Sequence, residues 1–440
     1  MTPYLNFLYF LLLLYPTAPA LLLGFTGWLR PWYLLVATLA MILLQYGGAF
    51  GGTDRQLLWL GAFAVYATAI VYGFAVLRRR RRRRAAFTAA IVLILLPLIA
   101  VKVQPVLASH DWLPAWAVPA AAASPAHAPS SETSAAPPAS APAAVSRPPA
   151  SPAAASTLQA ILGTTVGFLG ISYLTFRYLD VLVGLQDGLF SVPGPGLLLT
   201  YVFFFPCISS GPIDRFRRFA RDAAQFRRAR DYAADVDAGL YRLAQGFLYK
   251  FVLADLIDRW WLGPLTPLRD PLHMWLYMYA YTLFLFFDFA GYTAFAIGVG
   301  CFFGIRSPEN FDAPFLARNF KDFWNRWFIT LSQFLRDHVY MRFVLGATRR
   351  RWFGNNRHAA SYLGYMLTFL AMGFWHGLAL QYIVYGGYHG VMISLNDFLA
   401  RWNRRRALIP DTRFTRGLSV FATFHLVCFG MLIFSGHLFT

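Results

Sequence analysis

Nine stretches with almost no charge recur along the chain, at Leu5 to Phe25, Trp32 to Tyr46, Leu57 to Leu77, Ala85 to Val101, Leu158 to Phe176, Val192 to Pro212, His273 to Ile305, Ser361 to Asn396 and Gly417 to Phe439. In hydrocarbon, backbone amides and carbonyls must be satisfied within the segment itself, so stretches of this kind fold as helices. The longer ones can cross about 30 Å of hydrocarbon, and the shorter ones read as tilted or partial spans. A chain of 440 residues that is 58% hydrophobic and only 13% charged therefore lives in a bilayer. The first stretch has no basic residue ahead of it and continues past Pro16 into more apolar sequence, so it reads as a retained helix rather than a signal peptide. The expected class is an all-α, polytopic integral membrane protein.

The net charge of +19 would suggest a nucleic-acid partner in a soluble protein, but here the basic residues cluster at the ends of apolar stretches. That is the positive-inside pattern, and it points to membrane lipids rather than nucleic acid. The run Arg78 to Arg84 belongs on the cytoplasmic side, which puts the N-terminus outside when three helices precede it. Arg215 to Arg230, Arg349 to Arg351 and Arg401 to Arg406 then share the cytoplasmic side. From Pro114 to Thr157 the chain is almost entirely Ala, Pro and Ser and cannot bury a core. The organisation is thus N-terminal helices over 1–110, a flexible outer-face linker over 111–157 and a core over 158–440. Within the core, Phe219 to Arg242 reads as an interfacial or connecting helix. Asn319 to Phe343 reads as a helix that enters the interior without crossing.

Cys207, Cys301 and Cys428 share no metal or disulfide spacing and read as packing residues. No HExxH, GxSxG, CxxC or phosphate-loop pattern is present. Chemistry therefore rests on polar residues isolated in apolar sequence. His376, in GFWHGLALQYIVYGGYHG, lies in a stretch free of Asp, Glu, Lys and Arg, as does His389. Ionisable residues so placed usually face an interior cavity, although a hydrogen-bonded structural histidine fits the same pattern. A neutral imidazole can take the proton of a hydroxyl that attacks a thioester. Gly373 and Gly377 beside it suit close approach of a substrate or of another helix. The segment Asp322 to Phe343 supplies Asn325, Arg326, Ser332, Arg336, Asp337 and His338 among aromatics. Helical spacing sets Asn325, Ser332 and Arg336 on one face, either to orient a thioester arm or as a buried polar network. Asp288, a lone carboxylate in FFDFAGY, needs a partner in either case.

At these segments the chain resembles the membrane-bound O-acyltransferase family. The shared features are the FWNRW segment from Phe323, the following LS and RD, and the later Trp375-His376-Gly377. GISYLTFRYLDVLVGLQDG, FFPCISSGPIDRFRRF, FFDFAGYTAFAIGVG, PENFDAPF and RDHVYMR resemble the branch of that family that transfers D-alanine. Tyr340-Met341-Arg342 departs from the alginate-acetylating branch. The resemblance implies a ring of about 10–11 transmembrane helices around a central tunnel, with re-entrant and interfacial helices. It implies no cofactor held by the chain, but an acidic cytoplasmic carrier protein that bears D-alanine as a phosphopantetheine thioester. An outer-side hydroxyl of a cell-envelope polymer would be the acceptor, and a membrane or periplasmic relay partner is compatible with that. His376 takes the place of the family's catalytic histidine, with Trp375 beside it in the tunnel wall. Where the family commonly carries a second histidine this chain has Phe328, so His376 would act alone. Arg215, Arg217 and Arg218 are candidates for docking the carrier, against plain binding of anionic lipid. The rival readings are polysaccharide O-acetylation and a transporter or flippase without enzymatic activity. The expected location is the bacterial inner membrane.

Overall fold

A computed structural model of the chain describes residues 7–22, 30–46, 54–78, 83–109, 170–225, 228–354 and 356–439. The linker at 111–157 and arginines 79–82 lie outside the described residues. The apolar stretches are helical: α1 Phe7–Leu22, α2 Arg30–Tyr46, α3 Asp54–Leu77 and α4 Arg83–Ser109 lead into α5 Ile171–Asp187 and α6 Pro195–Phe203. The described residues up to Leu98 and from Gly170 onward belong to one compact unit. Among the described residues there are no strands, and one isolated antiparallel bridge pairs Phe311 with Trp327. Four described helices are by themselves long and apolar enough to cross a membrane, and two of them lie at Pro271–Phe302 and Arg413–Ser435.

One end of this unit collects charge. Arg78, just past α3, donates to the Leu185 carbonyl at the end of α5, and Arg342 pairs with Asp187 at 2.5 Å. From this basic end α6 runs inward but stops at Phe203, well before the end of the uncharged stretch 192–212. A helix ending among buried residues leaves carbonyls without partners. Arg177, 1% exposed, supplies them by donating to the carbonyls of Tyr201, Val202 and Cys207 at 2.8–3.0 Å. The chain then turns back to the short amphipathic helix α7 Phe216–Ala224, which buries Phe216 and Phe219 and exposes Arg217 and Arg221.

The interfacial segment expected over 219–242 is therefore divided. Its first part belongs to α7, and the rest opens α8 Ala229–Phe247, which continues through π-helical turns at Leu248–Ala254 and Asp258–Leu262 to Leu265. The 32-residue α9 Pro271–Phe302 packs on this run through a seam of glycines. A Cβ at Gly298 would lie 2.9 Å from the Gly239 carbonyl oxygen, and one at Gly291 would lie 2.9 Å from the Lys250 amide nitrogen. Only residues without a side chain allow backbones this close.

The segment Asn319 to Phe343 does not form one helix. α10 Phe320–Arg326 and α11 Ile329–Leu335 are separated by a break at Trp327 and Phe328, and α11 leads through a π turn into α12 Met341–Arg349. Phe328 adopts the left-handed region at φ 44°, where a side chain is strained. The Asn310 side-chain oxygen accepts from the Thr330 hydroxyl at 2.6 Å, and its backbone carbonyl accepts from the Ile329 amide at 3.0 Å, so the break is fixed from outside. The uncharged stretch from Ser361 to Asn396 is likewise two antiparallel helices, α13 Arg357–His376 and α14 Leu380–Arg406. The last helix, α15 Arg413–Ser435, starts from a capping box at Thr412 and Thr415.

Candidate active site

The hairpin of α13 and α14 decides where His376 sits. A Cβ at Gly373 would lie 2.3 Å from the Tyr382 carbonyl oxygen, and one at Gly386 2.5 Å from that of Phe369. Gly373 and Gly377 thus serve the close packing of this hairpin. His376 is the last residue of α13, 19 residues from Arg357 and so roughly 28 Å along the axis at about 1.5 Å per residue. Its ring lies 4.5 Å from Trp375, 4.8 Å from Phe434 and 5.9 Å from Tyr382, centroid to centroid.

His376 opens on a cavity of about 300 Å³ whose walls include Trp324, Phe328, Trp375, Tyr385 and Asp288. Asp288 is the one carboxylate in that wall. Its partner is Lys250 on the π-helical turn of the neighbouring helix, brought close by Gly291. The Lys250 side chain is 5% exposed and that of Asp288 41%, so the lysine backs the carboxylate while the carboxylate faces the cavity. Phe328 packs edge-on against Phe289 at 4.7 Å and gives the wall an apolar ring at this position.

A second cavity, of about 290 Å³, adjoins the first and shares Trp324 and Met372 with it. Its walls carry Lys321, Asn325, Ser332, Gln333, Arg336 and Thr368. Asn325, Ser332 and Arg336 all line it, Ser332 and Arg336 four residues apart on α11 and its π turn and Asn325 from α10. The break at Phe328 redirects the chain between α10 and α11, and both helices contribute to one space.

The remaining candidates have other duties. Arg326 pairs with Asp322 at 2.7 Å and lines neither cavity. Asp337 accepts from Arg215 at 2.8 Å and from Arg336 at 2.9 Å. Arg215 also holds Asp180 at 2.8 Å, and His338 stands 3.5 Å from the same carboxylate. Arg218 is bound to Asp214 and Asp222. Burial alone would lower the pKa of its guanidinium, but these two carboxylates outweigh that and raise it. Of the three docking candidates, Arg217 is the exposed one. His389 is fully buried and lines neither cavity; its Nδ1 accepts from the Trp324 indole N–H at 3.3 Å. Lys250 was missed in the sequence, although a lone lysine between Phe247 and Ala254 is the same signal that singled out Asp288. The three cysteines are free and buried, as expected. Among the described residues no cluster of metal-ligating side chains occurs.

A bundle of apolar helices with a histidine in an aromatic-walled chamber, beside a second chamber of similar size that carries polar side chains, defines a helical membrane protein. The chain belongs to the membrane-bound O-acyltransferase family, whose sequence profile matches residues 171–438. It is an acyltransferase of the membrane. It is 37% identical to a teichoic acid D-alanyltransferase of Bacillus subtilis over 99% of this chain and 98% of the relative. A teichoic acid D-alanyltransferase of Streptococcus thermophilus is 39% identical over 62% of this chain and 69% of its own length. A probable alginate O-acetylase of Pseudomonas aeruginosa is 33% identical over 60% of this chain and 48% of its own length.

Proposed function

We propose that this acyltransferase moves D-alanine from a carrier-protein thioester to a hydroxyl of a cell-envelope polymer, with His376 as general base. The observation that carries the reading is the pair of adjoining cavities, one with the His376 imidazole in its wall and one with the two cations Lys321 and Arg336 beside amide and hydroxyl side chains. A phosphopantetheine arm ends in a phosphate, carries amides along its length and presents the thioester at its tip. Lys321 and Arg336 suit the phosphate, and Asn325, Ser332, Gln333 and Thr368 suit the amides. The tip then lies toward Trp324 and Met372, at the border of the His376 cavity.

In the reaction the neutral imidazole takes the proton of the acceptor hydroxyl as its oxygen bonds to the thioester carbon. The C–S bond then breaks, and the proton passes to the leaving thiolate. A positioned general base gives roughly 10²–10⁴ in rate. The basic end faces the cytoplasm of a bacterium, where an acidic carrier docks, and the N-terminus faces outward. The B. subtilis relative, similar over nearly its whole length, favours a teichoic-acid-type acceptor. Similarity to alginate O-acetylases favours a second reading, transfer of acetyl to a polysaccharide.

Proteoliposomes given carrier loaded with labelled D-alanine or labelled acetate test this directly. Transfer of D-alanine that disappears in His376→Ala is expected. Transfer of acetate alone would select the second reading, full transfer by His376→Ala would remove His376 as the base, and no transfer of either label by the unaltered chain would favour the transporter or flippase.

A further inference from the structure

Trp324 is the residue both cavities have in common together with Met372, and its position is not left to packing alone. Its indole N–H donates to His389 Nδ1, so the imidazole is neutral with its proton on Nε2. That Nε2 finds no partner among the described residues. It points at α15, where a Cβ on Gly430 would come within 2.7 Å of it. Around His389 stand Phe320, Trp324, Phe369, Tyr385 and Tyr388, with centroids at 4.5–5.9 Å. A phenylalanine would fill this cage and remove the unpaired Nε2–H, but it would leave the Trp324 indole N–H without its acceptor. What the imidazole adds is one acceptor, and it is spent on Trp324.

We propose that His389 is a positioning residue that sets the Trp324 indole as the partition between the polar cavity and the His376 cavity. The inference rests on the reading above, in which a thioester arm fills the polar cavity. His376 can activate any hydroxyl that reaches it, water included. A fixed partition admits the thioester carbonyl at one place and keeps the rest of the arm from solvent in the reaction cavity. With the partition loose, water attacks the carbonyl, the C–S bond breaks, and free D-alanine and carrier thiol leave without acceptor.

The readout is the ratio of hydrolysed to transferred D-alanine in proteoliposomes of the full chain. His389→Phe keeps the ring volume and removes the acceptor, whereas His389→Asn restores an acceptor at the position of Nδ1. His389→Phe and Trp324→Phe are each expected to raise the ratio about tenfold, the weight of one hydrogen bond that fixes a side chain. His389→Asn is expected to stay near wild type, and His389→Phe to add nothing in a Trp324→Phe background. A wild-type ratio in His389→Phe, equal ratios in the two His389 variants, or multiplying effects in the double variant would overturn the partition. Should His389→Phe fail to accumulate, an unchanged ratio in Trp324→Phe overturns it instead. His376→Ala separates the two levels: transfer that survives it removes the base reading, while its loss with an unchanged His389→Phe ratio removes the partition alone.

Discussion

A histidine with no neighbouring carboxylate in sequence was the visible sign of a site. His376 was legible because an uncharged run of that length tolerates an ionisable residue only for a reason. His376→Ala should lower transfer by roughly 10²–10⁴ while membrane levels stay constant, measured as labelled acyl incorporation. Asp288 was legible by the same argument, and its partner is now Lys250. Asp288→Ala strands a lysine that is 5% exposed. Loss of one partner from a buried pair costs about 3–5 kcal/mol, and the lower end applies because Asp288 faces the cavity. The melting temperature of purified Asp288→Ala should fall, and replacing Lys250 by Met in the same chain should recover most of the loss. The left-handed backbone at Phe328 was not legible, since no glycine or asparagine marks it; contacts from Asn310, far away in sequence, impose it.

Elements were easier to find than their ends. The stretch from Ser361 to Asn396 gave the helical character of α13 and α14 but hid the turn between them, because Gly377, Leu378 and Ala379 are as apolar as their surroundings. The glycines were the usable sign, and the hairpin explains why they are there. Gly386→Val places a branched side chain against the Phe369 carbonyl and must push the helices apart. A loss of roughly 1–3 kcal/mol is expected, read as a lower melting temperature in detergent together with reduced transfer. At Asn319 to Phe343, aromatic residues conceal the break because both helices bury them. At α6 the signal of a partial span was absent altogether, since the buried Arg177 that ends the helix lies on another element.

For the molecule as a whole, the arginines divide into those that build and those that face outward. Arg215 ties the start of α7 to Asp180 and Asp337, and Arg218 pairs with Asp214 just before the helix and Asp222 within it, so alanine at either should reduce stability rather than carrier affinity. Arg217 and Arg221 of the same helix are exposed, and Arg221 stands 3.7 Å from Asp222. Charge reversal at Arg217 should weaken binding of an acidic carrier, most at low salt, while leaving the melting temperature unchanged. Carrier affinity at two ionic strengths checks this, and an unchanged affinity leaves this residue to lipid.

The length of α13 has an electrical consequence. Between Arg357 at the basic end and His376 at the other lies roughly 28 Å, close to the full thickness of about 30 Å across which a membrane drops its voltage. D-Alanine in thioester linkage keeps a free ammonium, so in the proposed reaction its journey from cytoplasm to His376 climbs most of an inside-negative potential. The work is about 2.3 kcal/mol per charge for each 100 mV. Transfer of an aminoacyl group by this chain should therefore quicken as the potential collapses, and transfer of an uncharged acetyl should not respond. Proteoliposomes clamped by a potassium gradient with valinomycin would separate the two donors by voltage alone.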